Sequence, residues 1–270
     1  MKTQIKISIY SIIATIMLSY GLTSCSKTDD TLTGTGSISV EFDNQANGST
    51  LVLGDNYTNE KGEVMKFSMF NYFVSNFSLV KADGTIFTLP KDSCYFLIKE
   101  SGGANTEVVM NNIPAGDYTE LRFIVGVDSA KSTAPISERM NNLDPAGNAA
   151  GMYWMWNSGY IFVKAEGTSP QAPLDTATNS NKFRYHIGLF GGYSSPTINN
   201  IKTIQLKSTD VATVRTTIKP NFHVTVDIME MFKTPNTISV AANPTVMVTP
   251  FSANVANNYA DMFKLHHVHN

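Results

Sequence analysis

The segment Val74-Ser75-Asn76-Phe77-Ser78-Leu79-Val80-Lys81-Ala82-Asp83-Gly84-Thr85 decides the fold class. Apolar and polar side chains alternate through Val80 with the period of two that places one face of a strand on a core. The run ends at Asp83-Gly84, where glycine supplies the positive φ that a tight hairpin turn needs. The same alternation recurs in Ser37-Ile38-Ser39-Val40-Glu41-Phe42, in Thr50-Leu51-Val52-Leu53 and in Met65-Lys66-Phe67-Ser68-Met69-Phe70. Ser93-Cys94-Tyr95-Phe96-Leu97-Ile98 also reads as a strand, and Ile113-Pro114-Ala115-Gly116-Asp117-Tyr118 as a tight connection into Leu121–Asp128. Further strands are predicted over 183–187, 200–206, 214–218 and 222–229, and one short helix over 256–263. Residues 129–151 and 167–181 are polar and weakly patterned, the mark of long loops. With no linker after residue 36 and no internal repeat, the expected fold is all-β: a single antiparallel β-sandwich-like domain with at most one short C-terminal helix.

The N-terminus has a different logic. Lys2 and Lys6 precede an apolar or small run from Ile7 to Leu22, as in a secretory signal. Leu22-Thr23-Ser24-Cys25 then has the Leu-small-small-Cys form of a lipobox, in which the cysteine thiol takes the lipid. The expected division is a signal peptide over 1–24, a lipidated flexible tether over 25–36 and a β domain over 37–270. Several acyl chains on Cys25 would give stable anchoring to a membrane. Ser26, in place of Asp, favours the outer over the inner membrane, with the periplasmic or the surface face left open. The small, polar tether suits a stalk.

A formal charge of −2 without a basic stripe argues against a nucleic-acid partner. Of two cysteines, Cys25 is taken by lipid, so Cys94 is left single and no disulfide framework is expected. No nucleophile elbow, phosphate loop or His-Glu-x-x-His motif is present, and the carboxylates are scattered. No enzyme is predicted.

The informative residues are the tryptophans and histidines. Trp154 and Trp156 are the only tryptophans, two apart in Met152-Tyr153-Trp154-Met155-Trp156-Asn157-Ser158-Gly159-Tyr160. On a strand they and Met152 would share a face. The bland reading is a core aromatic pair; the sharper one is a soft thioether–indole surface suited to Cu(I). His186, on a predicted strand, is either a satisfied polar residue or a ligand. His223 alternates with Val224 and Val226, which places it on the solvent side. His266, His267 and His269 form either a loose polar tail or, through His267 and His269, a chelating pair.

These blocks resemble the MbnP-like family, named for the methanobactin-associated copper-binding protein and common as lipoproteins of Bacteroidetes type. The likeness rests on Ser39–Phe42, Leu53–Tyr57 with Asn59–Glu63, Tyr72–Leu79, Ile113–Tyr118 and Phe123–Asp128. Its most specific marks are Met152–Tyr160 running on to Lys164-Ala165-Glu166-Gly167, and His186-Ile187-Gly188. The resemblance implies copper as the bound metal, held in relatives by histidines and, in some, by a tryptophan oxidised to kynurenine. It carries His186 onto the family's His-x-Gly segment, and Trp154 with Trp156 onto its Trp-x-Trp segment. The chain departs from the pattern in having no histidine within 152–160. Completion of a site would then fall to Met152, or to His267 and His269, or the copper function is lost. Di-haem peroxidase-like and TonB-dependent receptor proteins are the partners the resemblance implies. The competing reading is a binding module for a glycan or protein that uses no metal.

Overall fold

Period-two alternation organises the chain into two facing sheets. The computed structural model describes residues 32–100, 106–156 and 159–270, and Thr33–Asn270 cluster as one unit. The expected signal peptide, Cys25 and most of the expected tether lie outside the described residues. In chain order the strands are β1 (Thr35–Ala46), β2 (Ser49–Thr50), β3 (Asn56–Thr58), β4 (Val64–Lys81) and β5 (Ile86–Thr88). They continue with β6 (Tyr95–Lys99), β7 (Thr106–Pro114), β8 (Gly116–Val125), β9 (Tyr153–Trp154) and β10 (Gly159–Thr168). The last are β11 (Lys182–Gly188), β12 (Lys202–Val214), β13 (Asn221–Asp227), β14 (Thr245–Val246) and β15 (Phe263–His269). Helix α1 (Ser129–Ser132) is one turn, and α2 (Ser252–Tyr259) is the longer helix.

The first sheet runs β15-β13-β1-β2, with β7 also paired to β1; the second runs β12-β8-β4-β10-β11-β14, with β3, β5 and β6 also on β4. Pairing is antiparallel except for β1 with β13 and β11 with β14, which are parallel. Phe42 of the first sheet meets Tyr72 and Phe123 of the second edge-on, with centroids 6.2 and 6.0 Å apart. Phe263, on β15, closes on the same two rings. Each such ring removed from water contributes ~1.5–3 kcal/mol, which fixes the register of both sheets.

The predicted hairpin forms as read: Gly84 has φ +85°, and the Lys81 N–H donates to the Thr85 carbonyl. At the 113–118 connection the chain switches sheets, and the Tyr118 hydroxyl donates 2.8 Å back to the Pro114 carbonyl. Three expected strands differ. Of the 50–53 run only Thr50 pairs, together with Ser49 before it, because Leu51 turns into the core and Gly54 takes φ +93°. The 214–218 strand does not form, since the chain leaves the second sheet at Val214 and crosses to the first through a turn closed by Arg215 N–H to Ile218 O. The 222–229 strand stops at Asp227, where the Asp227 carboxylate caps a 3-10 turn over Ile228–Phe232. The helix begins four residues before the expected 256, and Phe263 starts a strand. The C-terminal residues are therefore β15, not a loose tail.

Loop 129–151 is pinned by the buried residues Ser132, Arg139, Leu143 and Ala149, with exposed stretches between them. Arg139 is buried, donates to the carbonyls of Ser132 and Ala134, and lies 5.1 Å from the centre of the Tyr153 ring. The loop's end is laid on the outer face of the second sheet by Lys99, which donates to the Asn148 carbonyl, and by Lys164, which donates to that of Gly151.

Candidate metal centre

The strand register decides which site residues meet. On β11, Phe183, Tyr185 and Ile187 point into the core, so Arg184, His186 and Gly188 belong to the outer face. His186 sits opposite Lys164 of β10, which sits opposite Asn71 of β4. One step along β10, Glu166 reaches back, and its Oε1 lies 2.7 Å from His186 Nε2. Lys164 stands 3.3 Å from the same oxygen.

Burial holds the His186 imidazole below its usual value, although the Glu166 carboxylate pulls it up. Burial raises Glu166 in turn, but the His186 and Lys164 contacts outweigh it and keep the carboxyl below its usual range. At neutral pH the pair is thus a neutral imidazole whose Nε2–H donates to a carboxylate. Nδ1 keeps its lone pair. A carboxylate that fixes the tautomer in this way is the usual neighbour of a metal-ligating histidine.

Trp154 reaches Gly188, the next outer-face position after His186, by a different route. β9 is only two residues long and pairs Trp154 with Gly159. The chain then turns, so a continuous strand through Trp156 does not form. Trp154 is 5% exposed and its ring lies against Gly188: a Cβ there would stand 2.6 Å from Trp154 Cζ3. Gly188 is two residues from His186 on one face, so the indole covers the neighbouring place in the row. Trp156 is 69% exposed, and its ring centre is 5.8 Å from that of Trp154. Met152 is 1% exposed, with its side chain among core residues. The tryptophan pair is thus split into one packed ring and one open ring.

His267 and His269 do not join this corner; they lie on β15 in the first sheet. His267 sits directly opposite His223 of β13, and His269 opposite Asn221. A bulge between these pairs and Val224–Leu265 leaves His266 as the extra residue, and ring nitrogens of His223, His266 and His267 all lie within 4.8 Å of one another. The sequence reading of His223 as a solvent-side residue captured its face and missed its neighbours. The available signal was the alternation of Phe263 and Leu265, which marks a strand where a tail was expected. Cys94 is buried and unpaired, with its thiol 3.2 Å from the Lys91 carbonyl, and burial pushes that thiol up.

An all-β sandwich with a carboxylate-oriented histidine beside a Trp-x-Trp corner is the class of domain defined by these features. The sequence model of MbnP matches residues 35–248, and the chain belongs to the MbnP family. Among solved structures, MbnP from Methylosinus trichosporium is similar, with a TM-score of 0.54 and 19% identity over 82% of this chain and 87% of that one. At that identity the likeness concerns the fold. No curated protein matches the sequence.

Proposed function

We propose that this chain is a lipid-anchored envelope protein whose MbnP domain binds copper at the His186–Glu166–Trp154–Trp156 corner. One observation carries the reading: the Trp154 ring rests on Gly188, two residues along the same face from a neutral His186 that Glu166 orients. The donors there fit a low-coordinate Cu(I), with one imidazole nitrogen and polarisable indole faces. They do not fit a four-ligand Cu(II) centre, because an intact indole has no lone pair in its ring plane and His186 is the sole imidazole at the corner among the described residues. Copper is cargo in this reading, and no reaction is assigned to the domain. The lipobox Leu22-Thr23-Ser24-Cys25 supports the anchor, and outer-membrane residence and di-haem or TonB-dependent partners are part of the same proposal. Among the described residues no helix is long and apolar enough to cross a membrane.

Titrating the full chain with Cu(I) against a competing chelator tests the reading. We expect one equivalent bound, with affinity at least about tenfold weaker in His186→Ala, the size of effect expected when a metal site loses a coordinating or orienting group. Equal binding by the two proteins would overturn it. The exposure of Met155 and Trp156 (73% and 69%) favours a second reading, an aromatic platform for a glycan or protein. That reading predicts that Trp156→Ala abolishes ligand capture while His186→Ala leaves it intact.

A further inference from the structure

The histidines of β13 and β15 form a separate cluster on the outer face of the first sheet. Three of its four imidazoles (His266, His267 and His269) lie beyond residue 248, where the match to the family ends. The bulge explains how two consecutive residues reach one place: the bulged strand sets His266 and His267 against the single His223. The hydrogen bonds are unusual. His266 Nδ1 is 2.5 Å from His267 Nδ1, and His267 Nε2 is 2.5 Å from His269 Nε2. In each pair one ring nitrogen carries the proton and the other accepts it. His223 Nε2 is shielded from solvent without a hydrogen-bond partner, and Asp43 Oδ2, at 3.6 Å, stops short of one.

We infer that His223, His266 and His267 form a second metal site, for a borderline divalent cation such as Zn(II) or Cu(II), independent of the Trp154–His186 corner. The donor set is all imidazole nitrogen, which suits those ions. Two nitrogens bound to one tetrahedral ion stand roughly 3.3 Å apart, so the observed spacings, 2.5 Å between His266 and His267 Nδ1 and within 4.8 Å for all three, reach it through small side-chain rotations that open the first and close the others. The cation takes the place of the proton between His266 and His267. His267 then donates its Nε2–H to His269, which fixes the tautomer and leaves Nδ1 for the metal. Asp43 adds negative charge beside His223.

The test is to titrate the full chain with Co(II) and with Zn(II), in wild type and in His223→Gln, His266→Gln and His267→Gln. We expect one equivalent of Co(II) with the intense visible absorption of a tetrahedral ion, Zn(II) displacing it, and a rise in melting temperature with Zn(II). Each substitution should remove the band, and His186→Ala should leave it unchanged. His269→Gln should weaken Co(II) by about tenfold and keep the same spectrum, because it acts through His267. Circular dichroism of the variants separates loss of the site from loss of fold, with His266→Gln, at an exposed position, as the mildest change. Absence of Co(II) and Zn(II) binding in wild type would overturn the inference, as would binding that survives all three substitutions together. Loss of the cobalt band with His186→Ala would overturn the independence of the two sites.

Discussion

Gly188 shows how one missing methyl group shapes the Trp154–His186 corner. A Cβ at this position would stand 2.4 Å from the Tyr160 carbonyl oxygen and 2.6 Å from the Trp154 ring. Gly188→Ala must therefore push the indole off the His186 row. We expect a loss of about 1–3 kcal/mol, the usual cost of overpacking, together with a shift in tryptophan emission. Gly167→Ala is the control, because its Cβ would meet the Lys66 carbonyl and Phe183 instead. It should destabilise the chain and leave the emission in place. An unchanged emission maximum in Gly188→Ala would show that Trp154 does not rest where described. Glu166→Gln tests the other contact at this scale. Replacing the carboxylate lowers the basicity of His186, so Cu(I) affinity should fall about tenfold while the fold persists. Unaltered affinity would remove Glu166 from the site.

At the scale of elements, the segment after β3 is held by one buried carboxylate. Glu63 accepts hydrogen bonds from the Ser239 hydroxyl, the Asn59 amide and the backbone N–H groups of Val240 and Ala241. Burial pushes its carboxyl up, but these donors outweigh burial and hold it below the usual range. A depressed folded value means that the stabilisation is complete above the unfolded pKa of about 4.3 and is lost as pH falls through the lower folded value. Urea unfolding between about pH 5 and pH 3 should show a steep loss in wild type and a shallower one in Glu63→Gln. The variant should also be about 2–3 kcal/mol less stable at neutral pH, the cost of disturbing hydrogen bonds to a buried charge. Identical acid slopes would contradict this account. The Asn59–Glu63 block marks the family in the sequence, but its role does not show there. Its partners at 239–241 come from the far end of the chain.

Across the whole molecule, local period was legible and long-range partnership was not. Val74–Thr85 announces a strand and its hairpin because both signals lie within a few residues. The parallel pairing of β1 with β13 is set by a shared core instead, and no run of residues states it. The candidate site divides in the same way. His186 and Trp154 were nominated together, and the Gly188 contact brings them to one face. His267 and His269 were nominated for that same site and belong to the opposite sheet, because the register of β15 pairs them with His223 and Asn221. The strand expected through Trp156 failed because β9 turns after Trp154. The central claim is that copper sits beside these indoles, and the chain carries its own reporter, since Trp154 and Trp156 are its only tryptophans. Tryptophan emission followed during Cu(I) titration of the full chain tests the claim most directly. The account predicts quenching that saturates at one equivalent in wild type and is absent in His186→Ala at the same copper concentration. Emission that Cu(I) leaves unchanged in wild type, or quenches equally in both proteins, would contradict it.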